Sequence, residues 1–398
     1  MTLKIEPSSS RNGPPFVYWS LLWWLGAVVA IYLLFFDLTK PNMTRLPGRD
    51  FTNLWTAGRL ALDGDAWKAF NVDTFRLALL NKAGILSLQN YSYPPHALFI
   101  AAPFALMPYY LSLAVWTVLG FVFFVWAARP FIPFHPLLAA LTPAAAFNIW
   151  NGHYGFYIGG LWLLVFYWVR NRPYWAAVAA GLLSFKPHLG LLIAIRLLTE
   201  RRALVATVLT VVLLVAASAF IFGAGTWAAF LTDTTAEQAD ILTAPGASLY
   251  LRMMPSAYCV FGGGSVGILA QLIFASASIG ILIYRSALNP FSAATATFLI
   301  VPYTFNYDMT VACLGFAILI YSRWSVLSWH AKALLTLAFW APELTWIVPW
   351  LVPPILLAGL WLQTSPGLNI CVFSDGGGKI KHVAPMLGEG DSVAFNSR

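Results

Sequence analysis

Between Asp73 and Glu200 the chain carries no acidic residue, and over that stretch one apolar run follows another. Apolar runs that are long and unbroken, without the alternation a barrel strand needs, restrict a chain to helices that satisfy their own backbone in lipid. The runs are 16–37, 95–128, 136–150, 154–169, 174–186, 188–198, 203–222, 257–284, 291–303, 308–322, 331–346 and 347–362. With 60% hydrophobic and only 10% charged residues, a soluble core cannot absorb this much apolar surface. The expected fold class is therefore all-α: a polytopic integral membrane protein with about twelve transmembrane helices.

The basic residues give an orientation. With the N-terminus in the cytoplasm, the inner turns receive Arg129, Arg170 and Arg172, Arg196, Arg201 and Arg202, Arg285, Arg323 and Lys332. The intervening outer turns hold only Lys186 and Arg252. The first outer loop, 38–93, runs against the rule with seven Lys or Arg, but long loops translocate despite charge. Run 16–37 reads as a retained helix, since it lacks a small-residue cleavage site. Pro103 and Pro108 interrupt 95–128, and a re-entrant half-helix is the alternative there. The organisation expected is one transmembrane domain over 1–364, with outer loops 38–93 and 223–255, followed by a polar, Gly-rich, poorly ordered tail over 365–398.

Several runs are too short to span. At about 1.5 Å per residue, a 13-residue helix covers roughly 20 Å of a ~30 Å hydrocarbon core. The short runs meet at polar breaks, Asn148 to His153, Lys186-Pro187-His188 and Thr304 to Asp308, all on the outer side. Such breaks are tolerated against protein or a watery cavity, so one outward-facing cavity is expected beneath the outer loops. In the first outer loop, Leu54, Trp55, Gly58 and Leu62, and then Phe75, Leu79 and Lys82, follow helical spacing. Short interfacial helices fit them.

Asp50 is the acid of greatest interest. It follows the first helix closely, beside Arg45 and Arg49, which favour its ionised form. Two readings stand: a general base, or a loop charge paired with an arginine. Lys186 is the only Lys or Arg between Arg172 and Arg196, and a cation there calls for an anion, water or a snorkelling path. His96 follows two prolines that start a helix, and it is a candidate phosphate donor. Asn148, Asn151 and His153 suit sugar hydroxyls and equally suit a membrane interface. Asp308 opens a helix, where capping is the alternative to a site role. Cys259, Cys313 and Cys371 have no metal spacing, and no metal or cofactor is expected. No P-loop, dinucleotide fingerprint, serine elbow or His-Glu-x-x-His motif occurs. The net charge of +8 suits anionic lipids and does not argue for nucleic acid.

Taken in order, Gly48-Arg49-Asp50-Phe51 through Trp55 to Arg59-Leu60, Tyr93-Pro94-Pro95, Asn151-Gly152-His153, Ser184-Phe185-Lys186-Pro187-His188 and Pro302-Tyr303 with Tyr307-Asp308 resemble the family 87 glycosyltransferases of the membrane GT-C class. The resemblance runs from about Phe16 to Leu362. Where that family commonly has Gly-Gln and Lys-Pro-Gln, this chain has Gly152-His153 and Lys186-Pro187-His188. The resemblance implies a GT-C-like fold in a bacterial inner membrane, with the active site facing outside the cytoplasm. It implies sugar transfer, of mannose by preference, from a polyprenyl-phosphate carrier to a glycolipid or glycan acceptor, with Asp50 as catalytic base. The candidate substrate contacts are Arg49, Trp55, Arg59, Tyr93, His96, Asn148, Asn151, His153, Lys186, His188, Arg252, Tyr307 and Asp308, with Lys186, His188 and Arg252 the cationic groups for a departing phosphate. The rival classes are a transporter or lipid-linked-sugar flippase, since broken helices also mark carriers, and a scaffold subunit of an envelope-assembly complex.

Overall fold

A computed structural model of the chain describes residues 13–39, 46–87, 89–243 and 249–368. Arg45, Cys371 and nearly all of the polar tail lie outside the described residues. Every regular element among the described residues is a helix, and each apolar run carries at least one.

Among the described residues, three helices are long and apolar enough to cross a membrane: Tyr109–Ala128, Arg201–Phe222 and Gly264–Arg285. Their exposed faces are apolar. Val205, Leu209, Val212 and Leu213 stand outward on one, and Val266, Leu269, Leu272 and Ile273 on another. Outward-facing rows of this kind suit lipid rather than water.

The other helices are shorter because the sequence interrupts them. Pro108 ends the 95–128 run as one helix, leaving Leu98–Ala105 and then Tyr109–Ala128. The carbonyls freed at the end of Leu98–Ala105 find side chains. Ser112 Oγ donates to Phe104 at 2.6 Å, Arg59 to Ala105 at 3.3 Å and Trp55 Nε1 to Met107 at 3.0 Å. Pro143–Asn151 starts at the Thr142 cap and stops at Gly152, which takes a left-handed backbone at φ 62°. Asn289 caps Pro290–Ile300 with a reciprocal bond from its own amide to Ser292 Oγ.

Helices also form in the 38–93 segment, at Arg49–Leu62 and Val72–Ala78, with a wider turn over Leu79–Ala83. The buried face of Arg49–Leu62 differs from the expected stripe. Phe51, Leu54, Ala57, Gly58 and Leu60 are buried, whereas Leu62 is exposed and Trp55 half-buried. The reason is where the helix docks. Gly58 lies against Ala101 and Ala105, so close that a Cβ would sit 2.7 Å from the Ala105 side chain. Further along, Phe75 and Leu79 are buried while Lys82 reaches back to Asp63.

Candidate active site

The three polar breaks meet in one cavity of about 350 Å³. The first break contributes His153, the second Lys186 to His188, and the third Phe305 and Tyr307. Asp50 and Asn53 line it from the 38–93 segment, and Gln238, Ala239, Ile241, Leu242, Met253 and Met254 add to the lining.

Asp50 lies in the first turn of its helix, and that turn is held from two directions. Gly48 precedes it at φ 71°, a left-handed conformation, where a Cβ would come 2.6 Å from Leu113. The Tyr109 hydroxyl donates to the Pro47 carbonyl at 2.7 Å and lies 2.8 Å from Thr52 Oγ1. From the other side, Gly152 packs under Phe51. A Cβ on Gly152 would lie 2.6 Å from that of Phe51. The carbonyl of Gly152 accepts from Trp116 Nε1 at 3.0 Å, which anchors the break to Tyr109–Ala128. The carboxylate therefore projects from a fixed platform, as a positioned base requires.

In the same cavity, Lys186 has a partner that sequence alone does not reveal. Its ammonium donates to both oxygens of Asp308, at 3.0 and 2.9 Å. The two side chains are 6% and 0% exposed, so this is a buried ion pair. The Lys186 nitrogen also stands 5.0 Å from the Tyr307 ring and 5.8 Å from the Tyr93 ring, within cation–π range. Two bonds to the carboxylate leave one of its three N–H donors for another acceptor. Asp50 is near enough to act electrostatically on Lys186, Tyr93, Tyr307 and Asp308.

Aromatic groups complete the wall. The His153 ring lies tilted against that of Tyr307 with ring centres 3.6 Å apart, and its Nε2 is 2.9 Å from the Tyr93 hydroxyl. Burial, with Asp308 and Asp50 adding to it, pushes the Tyr93 phenol well above its ordinary range, so it remains a neutral hydrogen-bonding group. His188 meets Tyr303 edge to face at 5.4 Å, and Tyr303 bonds Gln238.

Of the residues expected at the site, Arg49, Asp50, Tyr93, His153, Lys186, His188 and Tyr307 line the cavity, and Asp308 stands behind Lys186. The others do not line it. Trp55 and Arg59 are turned toward the carbonyls that end Leu98–Ala105. His96 bonds Ser184 Oγ at 3.0 Å and stacks on Trp227. Asn148 donates to the carbonyls of Ala144 and Tyr307, tying two breaks together behind the wall. Asn151 is buried away from the cavity, and Arg252 is exposed on the short turn Leu249–Arg252. Sequence reasoning missed Asn53, Asn90, Ser92, Gln238 and Tyr303. Asn53 had a legible signal, since it follows Asp50 by one helical turn.

The model of glycosyltransferase family 87 matches residues 91–305, more than half of the chain. The matched range includes Tyr93, His153, Lys186 and His188, while Asp50 and Asp308 lie outside it. No curated protein and no solved structure matches the chain.

Proposed function

The chain belongs to glycosyltransferase family 87, and from that premise we propose that it moves a sugar, by preference mannose, from a polyprenyl-phosphate carrier to a hydroxyl of a glycolipid or glycan. In this reading the polypeptide spans a bacterial inner membrane about twelve times in a GT-C-like arrangement. Its cavity then faces outside the cytoplasm, the orientation that the basic turns favour.

The observation that carries the reading is that Asp50 and Lys186 line one cavity. A sugar phosphate already holds a good leaving group, so no protonating acid is needed. One carboxylate suffices, unlike the pair that glycosidases use against a poor alkoxide. Asp50 takes the proton of the acceptor hydroxyl. The oxygen attacks the anomeric carbon while the bond from that carbon to the phosphate oxygen breaks on the far side. The configuration inverts, and the phosphate departs toward Lys186 and His188, where cationic and hydrogen-bonding groups stabilise the growing charge. Asp308 holds Lys186 in place, and the rings of Tyr93 and Tyr307 flank the space for the sugar.

A second cavity supports a lipid donor. It measures about 540 Å³, is lined by Ala180, Leu183, Leu191, Ala194 and Ile300 among others, and shares Pro187 and His188 with the first. An isoprenoid chain attached to a phosphate at His188 has an apolar path leading away from the polar chamber.

The test is donor use. Purified protein in lipid nanodiscs is given radiolabelled polyprenyl-phosphate mannose, polyprenyl-phosphate glucose or a nucleotide sugar, with membrane lipids as acceptor. Label should pass to product from the polyprenyl-phosphate donors, mannose foremost. Transfer from the nucleotide sugar alone would overturn the proposal.

A further inference from the structure

Two helix starts and a group of arginines come together at one end of the fold. Pro173–Leu182 packs along Arg201–Phe222, with Gly181 so close to Thr210 that a Cβ would have no room. The two helices run parallel, because their far ends are joined. Ser184 Oγ lies 3.0 Å from His96, His96 stacks on Trp227, and Trp227 Nε1 donates to Ser218 Oγ at 3.0 Å. The two N-termini therefore share the other end, with Arg172 before the first helix and Arg201 and Arg202 opening the second. Neither start has an acid in its first turn or a side-chain cap. Cations at the positive end of a helix are unfavourable, and the free N–H groups there need an acceptor.

Arg196, at the end of Leu191–Leu197, is only 5% exposed. Arg170 is near enough to repel it electrostatically, and Glu200, the one acid from 170 to 202, offsets only part of that. Its one hydrogen bond among the described residues goes to Thr199 Oγ1, which leaves most of a five-donor fork for another acceptor. Tyr174, Trp175, Leu198 and Val205 are exposed on the same elements. Aromatic and aliphatic side chains beside arginines are the equipment of a headgroup layer with hydrocarbon next to it. We propose that this patch binds an anionic phospholipid, its phosphate held by the arginines and its acyl chains lying on the neighbouring apolar side chains. A free anion would answer the charge but leave those side chains uncovered, so the lipid is the occupant that fits both. The site stands apart from the transferase reading, and only its leaflet, the cytoplasmic one, rests on the proposed orientation.

In the experiment, purified protein in detergent micelles is titrated with phosphatidylglycerol, with phosphatidylethanolamine of the same acyl chains, and with inorganic phosphate. Native mass spectrometry counts the bound molecules. Phosphatidylglycerol should bind at least about fivefold more tightly than phosphatidylethanolamine, and Arg196→Gln and Arg202→Gln should each weaken it about fivefold. Arg202 is exposed, so its variant remains a test if the buried Arg196 proves necessary for folding. Lys332→Gln removes another inner-turn cation, one that lies over the Trp324 ring, and should change the affinity by less than about twofold. Equal binding of the two lipids overturns the inference, as does affinity retained in both arginine variants. A loss in Lys332→Gln as large as in the arginine variants overturns it too, since that marks a diffuse field rather than a site. Inorganic phosphate that binds as tightly as phosphatidylglycerol overturns the choice of a lipid. None of these outcomes touches sugar transfer, so a failure here and a failure of the transferase reading are told apart.

Discussion

Replacing Lys186 by Met leaves the Asp308 carboxylate buried, without either of the bonds it now accepts at 3.0 and 2.9 Å. Removing one partner from a buried pair costs about 3–5 kcal/mol, roughly a hundred- to a few-thousand-fold in the folding equilibrium. Asp308→Leu strands the ammonium in the same way, and a similar loss is expected. The double variant Lys186→Met, Asp308→Leu removes both charges together. Because desolvating two ions offsets most of their attraction, it should lie within about 1 kcal/mol of the parent or above it. Unfolding by SDS in mixed micelles, followed by tryptophan fluorescence, measures all four proteins as a double-mutant cycle. The same cycle separates stability from function. If Lys186 holds the carrier phosphate, the double variant recovers stability yet still binds donor weakly. The sequence alone gave no reason to expect Lys186→Met to harm folding, since it showed no partner for the lysine. Single variants that unfold within about 0.5 kcal/mol of the parent would refute the reasoning, because a pair worth so little is not a desolvated, buried ion pair.

Gly152→Ala puts a methyl group against Phe51 at φ 62°, so it should cost of order 1–3 kcal/mol and slow transfer by shifting the helix that bears Asp50; parental stability and rate would count against the platform described for that turn. In a background with Cys259, Cys313 and Cys371 replaced, a cysteine at the exposed Ala236 should react with an impermeant thiol reagent on intact cells. One at the exposed Asn171 should stay unlabelled, and labelling there would reverse the proposed orientation.

The helices were legible because lipid leaves the backbone few choices, and each apolar run is long enough to announce one. Their lengths were less so. Pro108 splits a run that hydropathy joins, and Gly152 stops a helix through a backbone conformation that apolar periodicity does not register. The helix bearing Asp50 was readable, but its buried face was not. The expected stripe, read for an interfacial helix, took in Trp55 and Leu62, while packing against Gly152 and Leu98–Ala105 favours Phe51, Leu54 and Gly58. The pairing of Lys186 with Asp308 joins residues 122 positions apart and has no local signature. Its only hint was energetic, in that a lone cation and a lone acid at similar depth each need a partner. Trp55 and Arg59 illustrate the opposite error. They belong to a motif that resembles a site, yet their side chains serve the carbonyls at the end of a neighbouring helix.

The measurement that tests the central claim most directly is single-turnover transfer by Asp50→Asn. The amide keeps the size of the carboxylate and much of its hydrogen bonding but cannot take the acceptor's proton. Loss of a positioned general base costs about 10²–10⁴ in rate. With polyprenyl-phosphate mannose prebound and acceptor added by rapid mixing, the account predicts donor affinity near that of the parent and transfer slower by that factor. Transfer at the parental rate with normal donor binding would contradict it and remove Asp50 from the chemistry.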